Sequence, residues 1–248
     1  MWIWSWTLVG SCKNKMVKKP LIIMLGGSSE LAQKVQTNLV KKYQIICFYN
    51  NNIPKRIKKI SYIKLNLNKK NNLKIFNKVN LNNKKIIIIN FASIKIDKIS
   101  LHVTMSDLKK TFEINTFSFL KILQRILPTM MKKKWGRIIN ISSTGGLKGE
   151  RGTLLYSSSK NATHSMIKVM SQEYAEFNIT FNSLSLGNFN YGLFKKLEKK
   201  IKENILKKIP SKKTGNIKNI NNAINFIINS DYVNGSLINI DGGYEPNN

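Results

Sequence analysis

Residues 21–35 read LIIMLGGSSELAQKV. An apolar run, a pair of glycines and then a helical period is how a strand passes through a tight turn into a helix. The backbone N–H groups at such a helix start, with the helix dipole behind them, make a natural seat for phosphate. The run leading in, Leu21-Ile22-Ile23-Met24, has no polar interruption, which suits a strand buried on both faces. Gly26 and Gly27 allow the sharp turn, and Ser28 and Ser29 either cap the helix or donate to phosphate. Glu30 works against that reading, because it puts an acid where a negatively charged ligand has to come.

The same alternation continues outward. Candidate strands fall at 21–25, 44–49, 62–67, 85–90, 137–142, 180–184 and 237–240, and helical segments at 29–41, 106–131, 157–177 and 217–229. The clearest strand is IIIIN at 86–90. This order predicts an α/β protein: a single-domain, Rossmann-type, doubly wound parallel sheet of about seven strands with helices on both faces. A chain of 248 residues can bury one full core and is short for two domains. The Lys-rich stretch 188–215 reads as an excursion from that domain. Residues 1–16 are mostly apolar, carry three tryptophans and lack the basic start of a secretory signal. They read as a non-structural or mis-started leader, with the domain running over 17–248.

Lys plus Arg number 42 against 12 acids, a formal charge of +30. Lys, Asn and Ile are inflated together even in loops such as 65–85, and lysine far outnumbers the arginine that base-reading sites favour. The charge therefore reads as compositional bias rather than a specific nucleic-acid site, although it would still steer acidic substrates or carriers inward. Cys12 and Cys47 make no disulfide framework and no zinc spacing, which suits a reducing cytoplasm. His102 and His164 form no metal-ligand cluster, so no metal is expected. No apolar run approaches the ~18 residues of a membrane span.

Four polar positions stand out. Tyr156 and Lys160, in YSSSK at 156–160, lie four apart in a helical segment, so they share a face one turn apart. A phenol is a poor acid–base group at neutral pH, and an ammonium a few ångströms away favours the phenolate. Ser143 ends GRIINISS (136–143), thirteen positions before Tyr156, at the strand tip where open α/β sheets bind ligands. Asn115 lies in FEINTFSFLKIL, NFAS (90–93) closes a buried strand, and NGSLINIDGG (234–243) lies near the chain end.

This ordered set resembles the short-chain dehydrogenase/reductase family, in its branch of about 250 residues that includes 3-oxoacyl-carrier-protein reductases. The resemblance spans nearly all of the chain from Val17 to Tyr244. It implies that Tyr156 exchanges a proton with the substrate oxygen and that Lys160 tunes the phenol and binds the nicotinamide ribose. Ser143 would polarise the carbonyl, and Asn115 would anchor a water on the proton relay. The dinucleotide site it implies comprises Gly26, Gly27, Ser28, Ser29, Leu31, Asn50, Asn66, Leu67, Asn90, Ala92, Tyr156, Lys160 and Gly187.

Several positions depart from the family pattern. Its Thr-Gly-x-x-x-Gly-x-Gly loop becomes Leu25-Gly26 with Glu30 and Ala32 in place of the later glycines. Its Pro-Gly becomes Leu186-Gly187, a carboxamide-contacting threonine becomes Tyr191, and an adenine-contacting aspartate becomes Asn66. The end of the second strand, CFYNNNIPKR, carries no acid to bind a ribose 2′-OH, and Lys55 and Arg56 are near. That favours NADP(H) over NAD(H). The expected activity is hydride transfer between a carbonyl and an alcohol, on a small-molecule or carrier-bound substrate. A homotetramer or homodimer built through 106–131 and 157–177 is implied. The alternative is a non-catalytic NAD(P)-binding regulatory protein with a degenerate phosphate loop.

Overall fold

The structure is a computed structural model that describes residues 19–81 and 84–244. The expected leader at 1–16 lies outside the described residues. Seven strands, β1 (Leu21–Leu25), β2 (Gln44–Tyr49), β3 (Ile60–Lys64), β4 (Ile86–Asn90), β5 (Gly136–Ser143), β6 (Ile179–Leu186) and β7 (Leu237–Ile240), form one sheet in the order β3-β2-β1-β4-β5-β6-β7. Every pairing is parallel. The order reverses between β1 and β4, and their last residues, Leu25 and Asn90, are paired across that switch point.

Side-chain alternation explains why both faces must be covered. Leu21, Ile23 and Leu25 of β1 join Ile86 and Ile88 of β4 on one face, beneath α3 (Ser118–Lys133) and α5 (Leu154–Glu173). Ile22 and Met24 join Ile87 and Ile89 on the other, beneath α1 (Glu30–Leu39) and α8 (Ile217–Asn229). All five β1 residues are buried, as are all five of β4. The doubly wound sheet predicted from the sequence is the sheet observed.

Boundaries shift where packing overrides composition. The third strand lies at Ile60–Lys64 rather than 62–67. A 3-10 segment at Lys70–Lys78 supplies part of the crossover into β4, where the Lys/Asn-rich sequence suggests only loop. The long helix expected at 106–131 is three pieces: α2 (Met105–Phe112), a π-helical turn (Glu113–Phe117) and α3. A short helix, α4 (Thr144–Lys148), follows β5 directly. The excursion holds two helices, α6 (Gly192–Lys196) and α7 (Lys199–Lys208). No helix among the described residues is long and apolar enough to cross a membrane.

Candidate active site

Two cavities open at the C-terminal edge of the sheet and meet. The first, ≈ 290 Å³, is lined by Gly26, Ser28 and Ser29, by Asn50 after β2, by Leu67, and by Ala92 after β4. The second, ≈ 760 Å³, is lined by Ser143, Tyr156, Lys160 and Gly187, with Leu31 on α1. Ser29, Phe91 and Ser93 line both, so the two form one cleft across the switch point.

The turn between β1 and α1 is built on backbone geometry. Gly26 has φ +67°, and a Cβ there would lie 2.5 Å from the Ala92 nitrogen. Only glycine fits so close to the neighbouring strand end. Ser29 caps α1, its Oγ accepting from the Ala32 N–H at 3.2 Å. Gly27 faces inward instead of lining the cleft: its N–H donates to the Phe48 carbonyl at 3.0 Å and its carbonyl accepts from Gln36 Nε2 at 2.6 Å. The buried amide of Asn90 also turns inward, accepting from the Ala92 N–H at 3.1 Å and donating to Asn140 Oδ1 at 3.0 Å, so it shapes the turn after β4. Asn66 accepts from the Asn68 N–H at 3.0 Å, leaving Leu67 to line the cavity.

At the other end, Ser143 closes β5 and lines the same cavity as the phenol of Tyr156. Lys160, one turn further along α5, is buried, with Nζ donating to the Ile141 carbonyl at 3.0 Å and lying 5.6 Å from the centroid of the Tyr156 ring. Burial pushes the Tyr156 phenol above its ordinary value of 10.0, against the lowering effect of the Ser143 hydroxyl; Asp97 adds to the rise. Burial also pulls Lys160 down to about 8. The sequence expectation of a phenol lowered by its lysine is therefore not what this cleft provides. Desolvation dominates both groups, disfavouring phenolate and ammonium alike. A protonated phenol at neutral pH is a proton donor.

Asn115 sits in the π-helical turn, a feature that often marks functional segments. Its Oδ1 accepts from the Ile94 N–H at 2.8 Å, and its Nδ2 donates to the Ile94 carbonyl at 3.0 Å and to Ser159 Oγ at 2.9 Å. Its own carbonyl accepts from Thr163 Oγ1 at 3.2 Å. Asn115 thus ties the loop after β4 to the helix that carries Tyr156 and Lys160.

Of the residues named from the sequence, Ser143, Tyr156, Lys160 and Gly187 come together in one cavity, and Gly26, Ser28, Ser29, Asn50, Leu67 and Ala92 in the other. Sequence reading missed Ser93, at the junction of the two cavities, and Phe194 and Ile205 of the excursion. A serine in NFAS had no signal of its own, whereas the apolar residues in a Lys-rich helix were a usable one. Among the described residues, no group of three or more His, Cys, Asp or Glu side chains could hold a metal ion.

A family pattern described as "Enoyl-(Acyl carrier protein) reductase" matches residues 57–245. The chain belongs to the short-chain dehydrogenase/reductase family. That match includes Asn115, Ser143, Tyr156 and Lys160 and begins beyond the loop at 25–32. The chain is similar to "Nodulation protein G" of Azospirillum brasilense, 30% identical over 159 residues that make up 63% of this chain and 65% of that protein. It is also similar to "3-oxoacyl-[acyl-carrier-protein] reductase FabG" of Aquifex aeolicus (29% over 159 residues, 63% of this chain and 64% of that protein) and of Buchnera aphidicola (32% over 159 residues, 63% and 65%). The chain thus spans less than two thirds of the length of these curated relatives. A solved structure titled "ElxO with NADP Bound" superposes with a TM-score of 0.80 at 22% identity, covering 91% of this chain and 98% of that one, a likeness of fold.

Proposed function

We propose that this family member is an NAD(P)(H)-dependent oxidoreductase that interconverts a carbonyl and an alcohol, with Tyr156 as the acid–base group. One arrangement carries the reading: Ser143, Tyr156 and Lys160 converge in a cavity that runs on, through Ser29 and Ser93, to the Gly26 turn. The residues fit a dinucleotide. Gly26 leaves no Cβ between the strand ends, and Ser28 and Ser29 stand at the start of α1, where backbone N–H groups meet a pyrophosphate. Asn50, Leu67 and Ala92 would line the adenosine end, and Lys160 and Gly187 the nicotinamide end. When bound, the cofactor supplies the hydride.

The chain's own groups do the rest. Ser143 donates a hydrogen bond to the substrate oxygen and fixes its distance from the phenol. Tyr156 gives that oxygen its proton as the carbonyl becomes an alcohol, and takes it back in the reverse direction. Lys160 returns the proton to the phenol side and stabilises its charged form when the cleft fills. Asn115 holds the loop at Ile94 against α5, so that tyrosine, lysine and cofactor cavity stay in register.

Among the described residues lining the adenosine-side cavity there is no carboxylate, and three consecutive asparagines, Asn50 to Asn52, follow the end of β2. This supports NADP(H) over NAD(H), since an acid there would repel a 2′-phosphate. For the substrate we favour a 3-oxoacyl group on an acidic carrier, which the +30 charge would attract, over a small ketone or sugar. Assembly as a homotetramer or homodimer in the cytoplasm, by a domain running over 17–248, completes the proposal.

The test is a panel of carbonyl substrates, carrier-bound and free, turned over with NADPH and with NADH beside Tyr156→Phe. Turnover favouring NADPH, and lost in the variant, supports the proposal. Equal turnover by the variant removes Tyr156 from the chemistry. Dinucleotide binding with no turnover across the panel favours the second reading, a non-catalytic dinucleotide-binding protein, which rests on Glu30 in the phosphate loop.

A further inference from the structure

Glu30 opens α1, where the family pattern has a glycine, and its carboxylate is committed to a distant segment. Oε2 accepts a hydrogen bond from the Gly192 N–H at 3.0 Å, 162 residues away, and Oε1 lies 3.8 Å from Lys195 Nζ. Gly192 starts α6, and Lys195 lies on it.

The excursion that carries α6 and α7 is anchored at its base. The Gly215 N–H donates to the Asn188 carbonyl at 2.9 Å, Phe189 bridges Gly215 in parallel, and Phe189 and Ile209 are both buried. Between those anchors the packing is thin, and α7 has no buried residue. Among the described residues, the bond from Gly192 to Glu30 is the one hydrogen bond joining α6 and α7 to the Rossmann core. The same segment lines the catalytic cavity through Tyr191, Phe194, Ile205 and Lys208, and Glu30 lines that cavity too.

We infer that Glu30 is a positioning residue: a latch that holds the α6–α7 lid over the catalytic cavity by pinning the start of α6 to the start of α1. The acid that looked like damage to the phosphate loop directs its charge away from the loop and into the lid. Two groups that attract anions, the Gly192 N–H and the Lys195 ammonium, are thereby satisfied by the protein itself. The latch is a statement about lid order and needs no turnover to be true. Its consequence for substrate capture rests on the reading proposed above.

Hydrogen exchange of the ligand-free chain tests the two separately. Glu30→Ala is expected to speed exchange in 190–208 by about fivefold, the effect of one lost solvent-exposed hydrogen bond, with α8 unchanged as an internal control. Glu30→Gln keeps an acceptor for the Gly192 N–H but loses the charge, and should fall between Glu30→Ala and wild type. Lys195→Met should produce the smaller effect of an exposed ion pair. If α1 itself loosens in Glu30→Ala, the other two variants decide the matter alone. Unchanged exchange across 190–208 in all three variants, with the control steady, overturns the latch. Where wild type turns over a substrate, Glu30→Gln should raise KM several-fold with little change in kcat. A chain with no activity but a lid that loosens in the variants would defeat the proposed function and leave the latch standing.

Discussion

The two ends of the cleft are built from different materials. The proposed catalytic end is side-chain chemistry: a serine hydroxyl, a phenol and a buried lysine gathered in one cavity, the lysine Nζ 5.6 Å from the phenol ring centroid. The phosphate end is backbone geometry: a left-handed glycine, a capped helix start and a close approach between two strand ends. Identity is therefore demanding at one end, whereas at the other conformation suffices. Gly26 obeys a strict steric rule. Glu30 does not break one, because a first helical residue has ordinary dihedrals and its side chain points away from the axis. An acid in the first turn is also favourable with the helix dipole.

The most severe way to probe this contrast is Tyr156→Phe. Removing one hydroxyl leaves the ring and its packing, so unfolding temperature should hardly move, while kcat should fall by roughly 10²–10⁴, the range for a general acid. Steady-state kinetics beside a thermal melt reads both. A variant that loses stability and activity together would show that the catalytic end, too, works through structure.

Gly26→Ala attacks the other end. A left-handed conformation costs an ordinary residue about 1–2 kcal/mol. The added Cβ would also meet backbone at Ala92, which cannot swing aside as a side chain can. We expect a loss of about 2–4 kcal/mol in urea unfolding together with loss of dinucleotide binding. Wild-type stability and binding in this variant would show that the turn does not need the conformation seen here.

Lys160, beside Tyr156, has a pH signature. Its folded-state value is lowered from 10.5 to about 8 by burial. Below pH 8 the lysine is charged in both the folded and unfolded chains, and the full cost of burying it is present. Between pH 8 and 10.5 the folded chain releases a proton that the unfolded chain keeps, so this lysine's cost fades and stability rises. Over that window the gain is about 3 kcal/mol. Lys160→Met, similar in length and without charge, should be the more stable protein at pH 7, and the difference should close by pH 10.5. Parallel stability curves for the two proteins would mean that Lys160 is not buried as a charge.

What was legible in the sequence follows the same division. Continuous β-branched and apolar runs such as 21–25 and 86–90 suit strands covered on both faces of a parallel sheet, which is where they lie. Tyr156 and Lys160 are legible because a helix turns their spacing into adjacency. The π-helical turn at Glu113–Phe117 is not, since its buried residues Asn115 and Thr116 take partners from distant segments: Asn115 from Ile94 and from Ser159 Oγ at 2.9 Å, and Thr116 Oγ1 donates to the Ser159 carbonyl at 3.1 Å. The 3-10 segment at Lys70–Lys78 was hidden by Lys and Asn, which mask the helical placement of buried Leu73 and Phe76. Glu30 could be flagged as a departure, but no local pattern could name Gly192 as its partner.

The finest test falls on Ser29, the one side chain that sits in the phosphate end and lines both cavities. If that end works through its backbone, Ser29 matters as a helix cap, through the Oγ that accepts from the Ala32 N–H at 3.2 Å. Ser29→Ala should then cost about 1 kcal/mol of stability, with a loss of dinucleotide affinity of less than about tenfold. Ser29→Asp would restore the cap and recover the stability, yet weaken binding further, because its charge faces an incoming phosphate. The two variants thus separate capping from contact. An affinity loss of about a hundredfold in Ser29→Ala at unchanged stability, about 2.7 kcal/mol of binding, would make the hydroxyl a ligand in its own right. The division between a chemical end and a geometric end would then fail at this residue.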